Sequence, residues 1–324
     1  MTLGRACVGA VPMRFQYTEV HMGVQTRLVV YAASEKRAQS AAKAAFARIE
    51  ALENAMSDYR PSSEINRLCR DAVHRPTPVS PDLFRVLLRA REIAERSGGA
   101  FDPTIGPIIA LWRKARKEGR LPPIADLEAA RARVGWQYIA LDRRHRTVTL
   151  TKEGMRLDLG GIAKGYTCDA ALEVLKRHGI QSALVEMGGD IVVGAKPPGT
   201  AGWRIQTGPV LQVYGDGVDD SPHGADDGVL TVANCAVSTS GDTEQFVEFA
   251  GVRYSHIVDA RTGLGITSRF AVTVIAPRGE LSDGLSTAVS AMGPEAGLRL
   301  VERYPGVRCF IRTAEPPQAP NRAP

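Results

Sequence analysis

The pattern of apolar residues changes part-way along the chain, and this change constrains the fold more than any other feature. Between residues 35 and 56 apolar side chains recur at Ala38, Ala42, Ala45, Phe46, Ile49, Leu52 and Met56, the spacing of an amphipathic helix. A second helix opens at Ser80 as N-cap with Pro81 at its first position. It carries Leu83, Val86, Leu87, Ala90 and Ile93 on one face and stops at Ser97-Gly98-Gly99. A further helix follows Gly160-Gly161 and runs to Arg177, closed by His178-Gly179. Beyond it the chain turns β-rich, with short runs at 183–187, 191–193, 203–206, 229–233, 246–249 and 270–275 between glycine turns. One strand, 25–33, precedes the helices. Residues 285–303 read as two short helices broken at Gly293-Pro294, with 275–277 and 308–312 as flanking strands. Helices and strands segregate instead of alternating, which predicts an α+β domain of mixed sheets with packed helices and not a doubly wound sheet.

The 324 residues suffice for one large domain, expected over 17–314, with a poorly ordered N-terminal segment (1–16) and a disordered Pro-rich tail (315–324). Residues 214–228, crowded with Gly and Asp, read as a solvated loop rather than a calcium site, because the acidic positions do not repeat regularly. A net charge of +6 invites a nucleic-acid reading, but the 33 Arg and 8 Lys are dispersed, so no nucleic-acid partner is expected. The five cysteines are widely spaced with no Cys-x-x-Cys pair, which argues against a zinc site, a redox pair or a disulfide framework. No apolar run approaches a membrane span, and residues 1–16 contain no secretory core or lipoprotein signal, so the expected compartment is the cytoplasm.

Three segments carry candidate chemistry. In Asp158-Leu159-Gly160-Gly161-Ile162-Ala163-Lys164-Gly165, a strand end, two glycines and a helix start gather free backbone N–H groups, a cation and a carboxylate. This suits a phosphate with its metal ion; a plain strand-to-helix connection is the other reading. In Asp283-Gly284-Leu285-Ser286-Thr287, a carboxylate and a hydroxyl four residues apart share a helix face and suit Mg²⁺, unless Asp283 is an N-cap. His256, in Tyr254-Ser255-His256-Ile257-Val258-Asp259-Ala260-Arg261, is either a base for a hydroxyl nucleophile or a buried structural histidine. Ser238-Thr239-Ser240-Gly241-Asp242 adds hydroxyls and a tight turn after a Val-rich strand.

In order and spacing these segments resemble the ApbE family, the Mg²⁺-dependent FAD:protein FMN transferases. The resemblance runs from about Met22 to Gly293. It rests on Met22-Gly23, Met56-Ser57-Asp58-Tyr59 with Ser63-Glu64-Ile65-Asn66-Arg67-Leu68, Gly98-Gly99-Ala100-Phe101-Asp102-Pro103-Thr104-Ile105-Gly106-Pro107, Gly188-Gly189-Asp190-Ile191 and the segments above. It implies a T-fold-like single domain.

The resemblance also implies roles. Met22, Tyr59, Ala100, Phe101, Asp102, Asp158, Lys164 and Val258 match positions that hold FAD, the substrate. Gly161 (through its carbonyl), Asp283 and Thr287 match the Mg²⁺ ligands, and His256 matches the residue that activates the acceptor hydroxyl. The implied reaction moves FMN from FAD to a Ser or Thr of a partner protein and releases AMP. The implied partners are flavin-bearing subunits of membrane electron-transfer complexes, and family members are often at the cell envelope, on the periplasmic side of the inner membrane. Two alternatives share these residues: an FAD pyrophosphatase that uses water, and a flavin carrier without turnover. Val24, Ala260 and Ser286 depart from the family pattern; Ser286 stands where some members have an acidic residue that assists the metal.

Overall fold

A two-residue turn, Met22 (φ 49°) and Gly23 (φ 75°), sets the first element. Positive φ at both positions matches the twist of paired strands. The turn joins β1 (Met13–His21) to β2 (Val24–Ala32) with Met13 opposite Ala32 and His21 opposite Val24. The structure, a computed structural model, describes residues 11–207, 212–214, 228–241, 246–249 and 251–313. β1 begins inside the segment expected to precede the domain. As an outer strand with mostly exposed side chains it carries little apolar signal. The expected acidic loop (215–227 of it), Asp242 and the 315–324 tail lie outside the described residues.

α1 (Glu35–Met56) starts where Ser34 Oγ accepts from the Arg37 N–H at 3.4 Å. α2 (Glu64–Asp71) and, after β3 (Thr77–Pro78), α3 (Pro81–Arg96) use the same device, with Ser63 and Ser80 Oγ each 3.2 Å from the N–H three residues on. α4 (Gly106–Glu118), α5 (Ile124–Arg131), β4 (Ile139–Asp142), β5 (Thr147–Leu150) and α6 (Ala163–Arg177) complete the helical part. Then come β6 (Ala183–Met187), β7 (Asp190–Val193), β8 (Trp203–Gln206), β9 (Gln212–Tyr214), β10 (Val229–Val232) and β11 (Cys235–Gly241). β12 (Phe246–Phe249), β13 (Val252–Ser255), β14 (Val258–Asp259), β15 (Leu264–Gly265), β16 (Phe270–Ala276), α7 (Gly279–Met292), α8 (Pro294–Val301) and β17 (Arg308–Thr313) follow.

The main sheet has the order β1-β2-β6-β7-β11-β16-β17-β9, every neighbouring pair antiparallel. One face of its inner strands, Leu28, Val30, Val185 and Val192, packs on the alanine stripe of α1 and on Cys168, Ala171 and Leu175 of α6. Val272, Val274 and Ala276 of β16 meet α3 and α7 in a second cluster that reaches Phe101 and Leu159. The opposite face (Val29, Leu184, Val237, Ile275) is covered by Trp203, Ile205, Leu230 and Val232 of the β8–β10 ribbon. Each buried Leu, Ile or Val contributes roughly 1.5–3 kcal/mol, so these faces fix the register of the sheet. The molecule is an α+β fold of helices packed on antiparallel sheets, the fold class the segregated pattern predicts.

Two expectations are corrected. Residues 157–159 are irregular, not a strand end; a single parallel bridge, Ile105 to Arg156, precedes them, and the Asp158 N–H donates to the Pro103 carbonyl at 2.8 Å. Ser238 to Gly241 lie within β11, not in a turn, because β16 pairs with all four and β7 also pairs with Ser238.

Candidate active site

The site forms where α6 and α7 cross. Gly165 and Gly279 meet there so closely that a Cβ on Gly165 would lie 2.0 Å from the Gly279 carbonyl oxygen. Only hydrogen fits at this contact. The approach brings Asp283, on the second turn of α7, against the first turn of α6, where its Oδ2 accepts from the Gly165 N–H at 2.9 Å. Asp283 is therefore not an N-cap. α7 begins at Gly279, and its first turn is served from α6 by Asp169, whose Oδ2 accepts from the Glu280 N–H at 3.2 Å.

Around Asp283 the predicted metal positions converge. Thr287 lies one turn further along α7 and packs on Gly161, where a Cβ would come within 2.9 Å of Thr287 Cγ2 and 3.0 Å of its Oγ1. Lys164 points its ammonium at Asp190 of β7, in hydrogen-bonding contact. Burial works against the Lys164 charge, but the Asp190 and Asp283 carboxylates overcome it and hold the pKa above its ordinary value. Burial, then the neighbouring Asp190, push the Asp283 carboxyl up to about 7. A divalent cation beside Asp283 relieves that cost, and a carboxylate, a hydroxyl and a carbonyl are the hard donors Mg²⁺ takes while keeping waters. Among the described residues no group of three or more His, Cys, Asp or Glu could hold a metal, so a transition-metal centre has no ligand set there. The oxygen donors present do fit Mg²⁺. Ser286, the departure noted in the sequence, is tied to Ser240 Oγ at 2.8 Å and to the Asp283 carbonyl at 2.9 Å, and braces α7 on β11.

A second group of residues flanks this face. Asp158 accepts from the Gly160 N–H at 2.8 Å and from Arg113 of α4 at 3.3 Å. Arg113 also grips Asp58 and lies 4.0 Å over the Tyr59 ring, which is 73 % exposed. Burial and the Asp58 charge raise the Asp158 pKa, against the pull of Arg113. The loop carrying Asp58 and Tyr59 is held by Asn66, whose Nδ2 donates to the carbonyls of Asp58 and Arg60, each at 2.9 Å. Asp102 is buried with both oxygens engaged: it accepts from the Thr104 N–H at 2.8 Å, the Thr104 hydroxyl at 2.6 Å and the Trp136 N–H at 2.8 Å. Burial raises its pKa, opposed by those bonds. Ala100, Phe101 and Val258 bury their side chains in the core, so only their main chains can meet a ligand. Met22 lies beside α6, its sulfur 4.0 Å from the Thr167 hydroxyl.

His256 follows the last residue of β13 and is exposed. The buried structural reading of His256 is thus overturned. The turn that follows it rests on α4 and α5: Trp112 Nε1 donates to the Gly263 carbonyl at 2.8 Å, and Arg131 to the Arg261 carbonyl at 2.6 Å. A cavity of about 690 Å³ opens between the Gly98–Asp102 loop and Ala260-Arg261. Sequence reasoning assigned no individual role to Asp190, Asp58 or Arg113. The first two stand inside quoted motifs, whereas Arg113, in a basic run on an exposed-looking helix, gives no signal of its own.

Comparison with known proteins gives the family. The model of the ApbE family matches residues 22–311. The FAD:protein FMN transferase of Treponema pallidum (strain Nichols) is 34 % identical over 319 residues, covering 93 % of this chain and 85 % of the relative. That of Vibrio cholerae serotype O1 is 32 % identical over 260 residues, covering 78 % of this chain and 74 % of the relative. The crystal structure of Pseudomonas stutzeri flavinyl transferase ApbE, apo form, matches with a TM-score of 0.80 at 28 % identity, over 98 % of this chain and 94 % of that one. Fold, site and matches define an enzyme of the transferase class. The chain belongs to the ApbE family.

Proposed function

We propose that this chain transfers the FMN half of FAD to a Ser or Thr hydroxyl of a partner protein, with Mg²⁺, and releases AMP. The observation that carries the reading is the convergence of Gly161, Lys164, Asp190, Asp283 and Thr287 at the α6–α7 crossing. A cation, two carboxylates, a hydroxyl and a helix start meet there, a set suited to a pyrophosphate and its metal ion. The names of the relatives add the substrates: FAD, and a protein that receives FMN.

Asp283, Thr287 and the Gly161 carbonyl would hold Mg²⁺, which supplies charge neutralisation on the pyrophosphate oxygens when bound. Lys164, kept charged by its two carboxylate neighbours, faces the same phosphates. Tyr59 offers a ring face for stacking, and Arg113 holds Asp58 and Asp158 at the rim. His256, exposed at the end of β13, takes the proton of the acceptor hydroxyl. The hydroxyl oxygen forms a bond to the FMN phosphorus, the bridging P–O bond breaks, and AMP leaves with the bridging oxygen. Acceptors of the expected kind are subunits of membrane electron-transfer complexes. Incubation with FAD, Mg²⁺ and such an acceptor should give a fluorescent flavin band on a denaturing gel. Release of FMN and AMP without a labelled protein assigns the chain instead as a pyrophosphatase, and FAD binding without turnover assigns it as a carrier.

A further inference from the structure

We propose that Trp136 forms the stacking wall for one of the two planar ring systems of FAD, in the cavity between the Gly98–Asp102 loop and the Ala260-Arg261 turn. The inference rests on the reading of this site as one for FAD.

The cavity, about 690 Å³, is lined by Gly98, Gly99, Asp102, Trp136, Ala260 and Arg261 among others, and its volume is that of a site for a compact organic ligand. Trp136 is only half-buried, and its place is fixed through its main chain. Its N–H donates to Asp102 Oδ2 at 2.8 Å, and the preceding Gly135 N–H donates to the Thr104 hydroxyl at 2.7 Å. That hydroxyl in turn donates to Asp102 Oδ1 at 2.6 Å. The buried Asp102 carboxylate thus gives three of its roughly four acceptor positions to its own loop and to the backbone of Trp136. A position that the sequence matches to FAD binding therefore also fixes the main chain of Trp136.

The ring it holds packs in part on the core around α3 and is only half-buried, at the wall of the cavity. A Cβ on Gly99 would lie 3.9 Å from Trp136 Cδ1 and Nε1, so the indole stands beside a stretch of chain with no side chain of its own. The chain has three tryptophans. Trp112 and Trp203 are buried, and their indole N–H groups donate to the carbonyls of Gly263 at 2.8 Å and Ala195 at 3.0 Å. Among the described residues the Trp136 indole N–H has no such acceptor. Of the two guanidiniums that line the cavity, Arg261 is engaged by Asp259 at 2.8–3.2 Å and Arg131 donates to the Arg261 carbonyl at 2.6 Å. What the cavity adds to the phosphate cradle is therefore a ring face, and the chemistry that recognises a ring face is another flat heteroaromatic ring.

Tryptophan emission gives a readout independent of turnover. Titration with FAD should quench the emission of the wild-type protein, and Trp136→Phe should lose most of that quenching while calorimetry shows FAD still bound. Trp136→Leu, which keeps an apolar side chain but no ring, should weaken FAD about 5- to 100-fold, the usual loss when a stacked aromatic is removed. The KM for FAD in transfer should rise by a similar factor. Riboflavin and AMP, titrated separately, identify the ring, because the substitution weakens the one that stacks. Wild-type and Trp136→Leu proteins that bind FAD, riboflavin and AMP with equal affinity overturn the inference. A wild-type protein that binds no FAD overturns the FAD reading itself. Trp136→Phe covers the case in which the leucine variant unfolds: undiminished quenching in it places the bound ring elsewhere.

Discussion

Replacing Gly161 by Ala tests whether the Gly161–Thr287 contact builds the metal face. The new methyl would stand 2.9 Å from Thr287 Cγ2, closer than nonbonded atoms tolerate, and 3.0 Å from Oγ1 and 3.2 Å from Cβ, tighter than most real contacts. Thr287 is β-branched and helical, so it has few rotamers into which it can retreat. Either the loop or the threonine must shift by several tenths of an ångström. Overpacking of this size typically costs about 1–3 kcal/mol. If the whole cost falls on the donor geometry, transfer at limiting Mg²⁺ falls about 5- to 150-fold. The compensating change is Thr287→Ser, which keeps the hydroxyl and deletes Cγ2, the nearest atom. Initial rates across a Mg²⁺ titration, measured for the two single variants and the double variant, give the coupling directly. The account expects the double variant to recover at least 3-fold over Gly161→Ala, with a lower Mg²⁺ requirement. Strictly additive losses, or a Gly161→Ala enzyme with wild-type Mg²⁺ dependence, would refute the reasoning.

Other changes give separate tests. Lys164→Met strands the Asp190 and Asp283 carboxylates, and should cost about 2–3 kcal/mol in chemical denaturation, below the full cost of a broken buried pair because water reaches part of the ammonium. It should also weaken FAD. Burial lifts the Asp169 carboxyl to about 6, opposed by Arg278 and the N–H groups of Gly279 and Glu280. Its contribution to stability is thus full below pH 4 and lost as the pH rises through 6. Asp169→Asn keeps an acceptor for the Glu280 N–H, so thermal melts from pH 4 to 7 should show roughly 1–3 kcal/mol less decline than wild type. His256→Ala should bind FAD nearly as wild type by calorimetry and transfer FMN about 10²- to 10⁴-fold more slowly in single turnover. Weakened FAD binding with an unchanged chemical step would remove His256 from the mechanism.

Much of this was legible in the sequence where local chemistry decides the outcome. Apolar spacing marks α1, Ser80 announces α3 as its N-cap, and alternation or short apolar runs mark β6, β8 and β12. The Asp283–Thr287 pairing follows from helical spacing alone, wherever the helix begins. The start of α7 was not legible, because its first turn is served by Asp169 from a different helix, across more than 100 residues of chain. β1 was missed because an outer strand needs few apolar residues. Asp102 shows the limit more sharply. Its place in a motif points to ligand binding, but the partners that consume its oxygens, Thr104 and the Trp136 N–H, are known only once the chain has folded. Arg113 was hidden for a similar reason: Asp58 and Asp158, which it bridges, lie on opposite sides of it in the chain.

The account's central claim, transfer of FMN and not merely cleavage of FAD, is tested most directly by stoichiometry in a single turnover. The protein is mixed with limiting FAD, excess Mg²⁺ and an acceptor. AMP is then quantified by chromatography, and the acceptor's intact mass is measured. The account predicts one AMP for each acceptor that has gained FMN through a single phosphoester on Ser or Thr. AMP accompanied by free FMN, with the acceptor's mass unchanged, would contradict it.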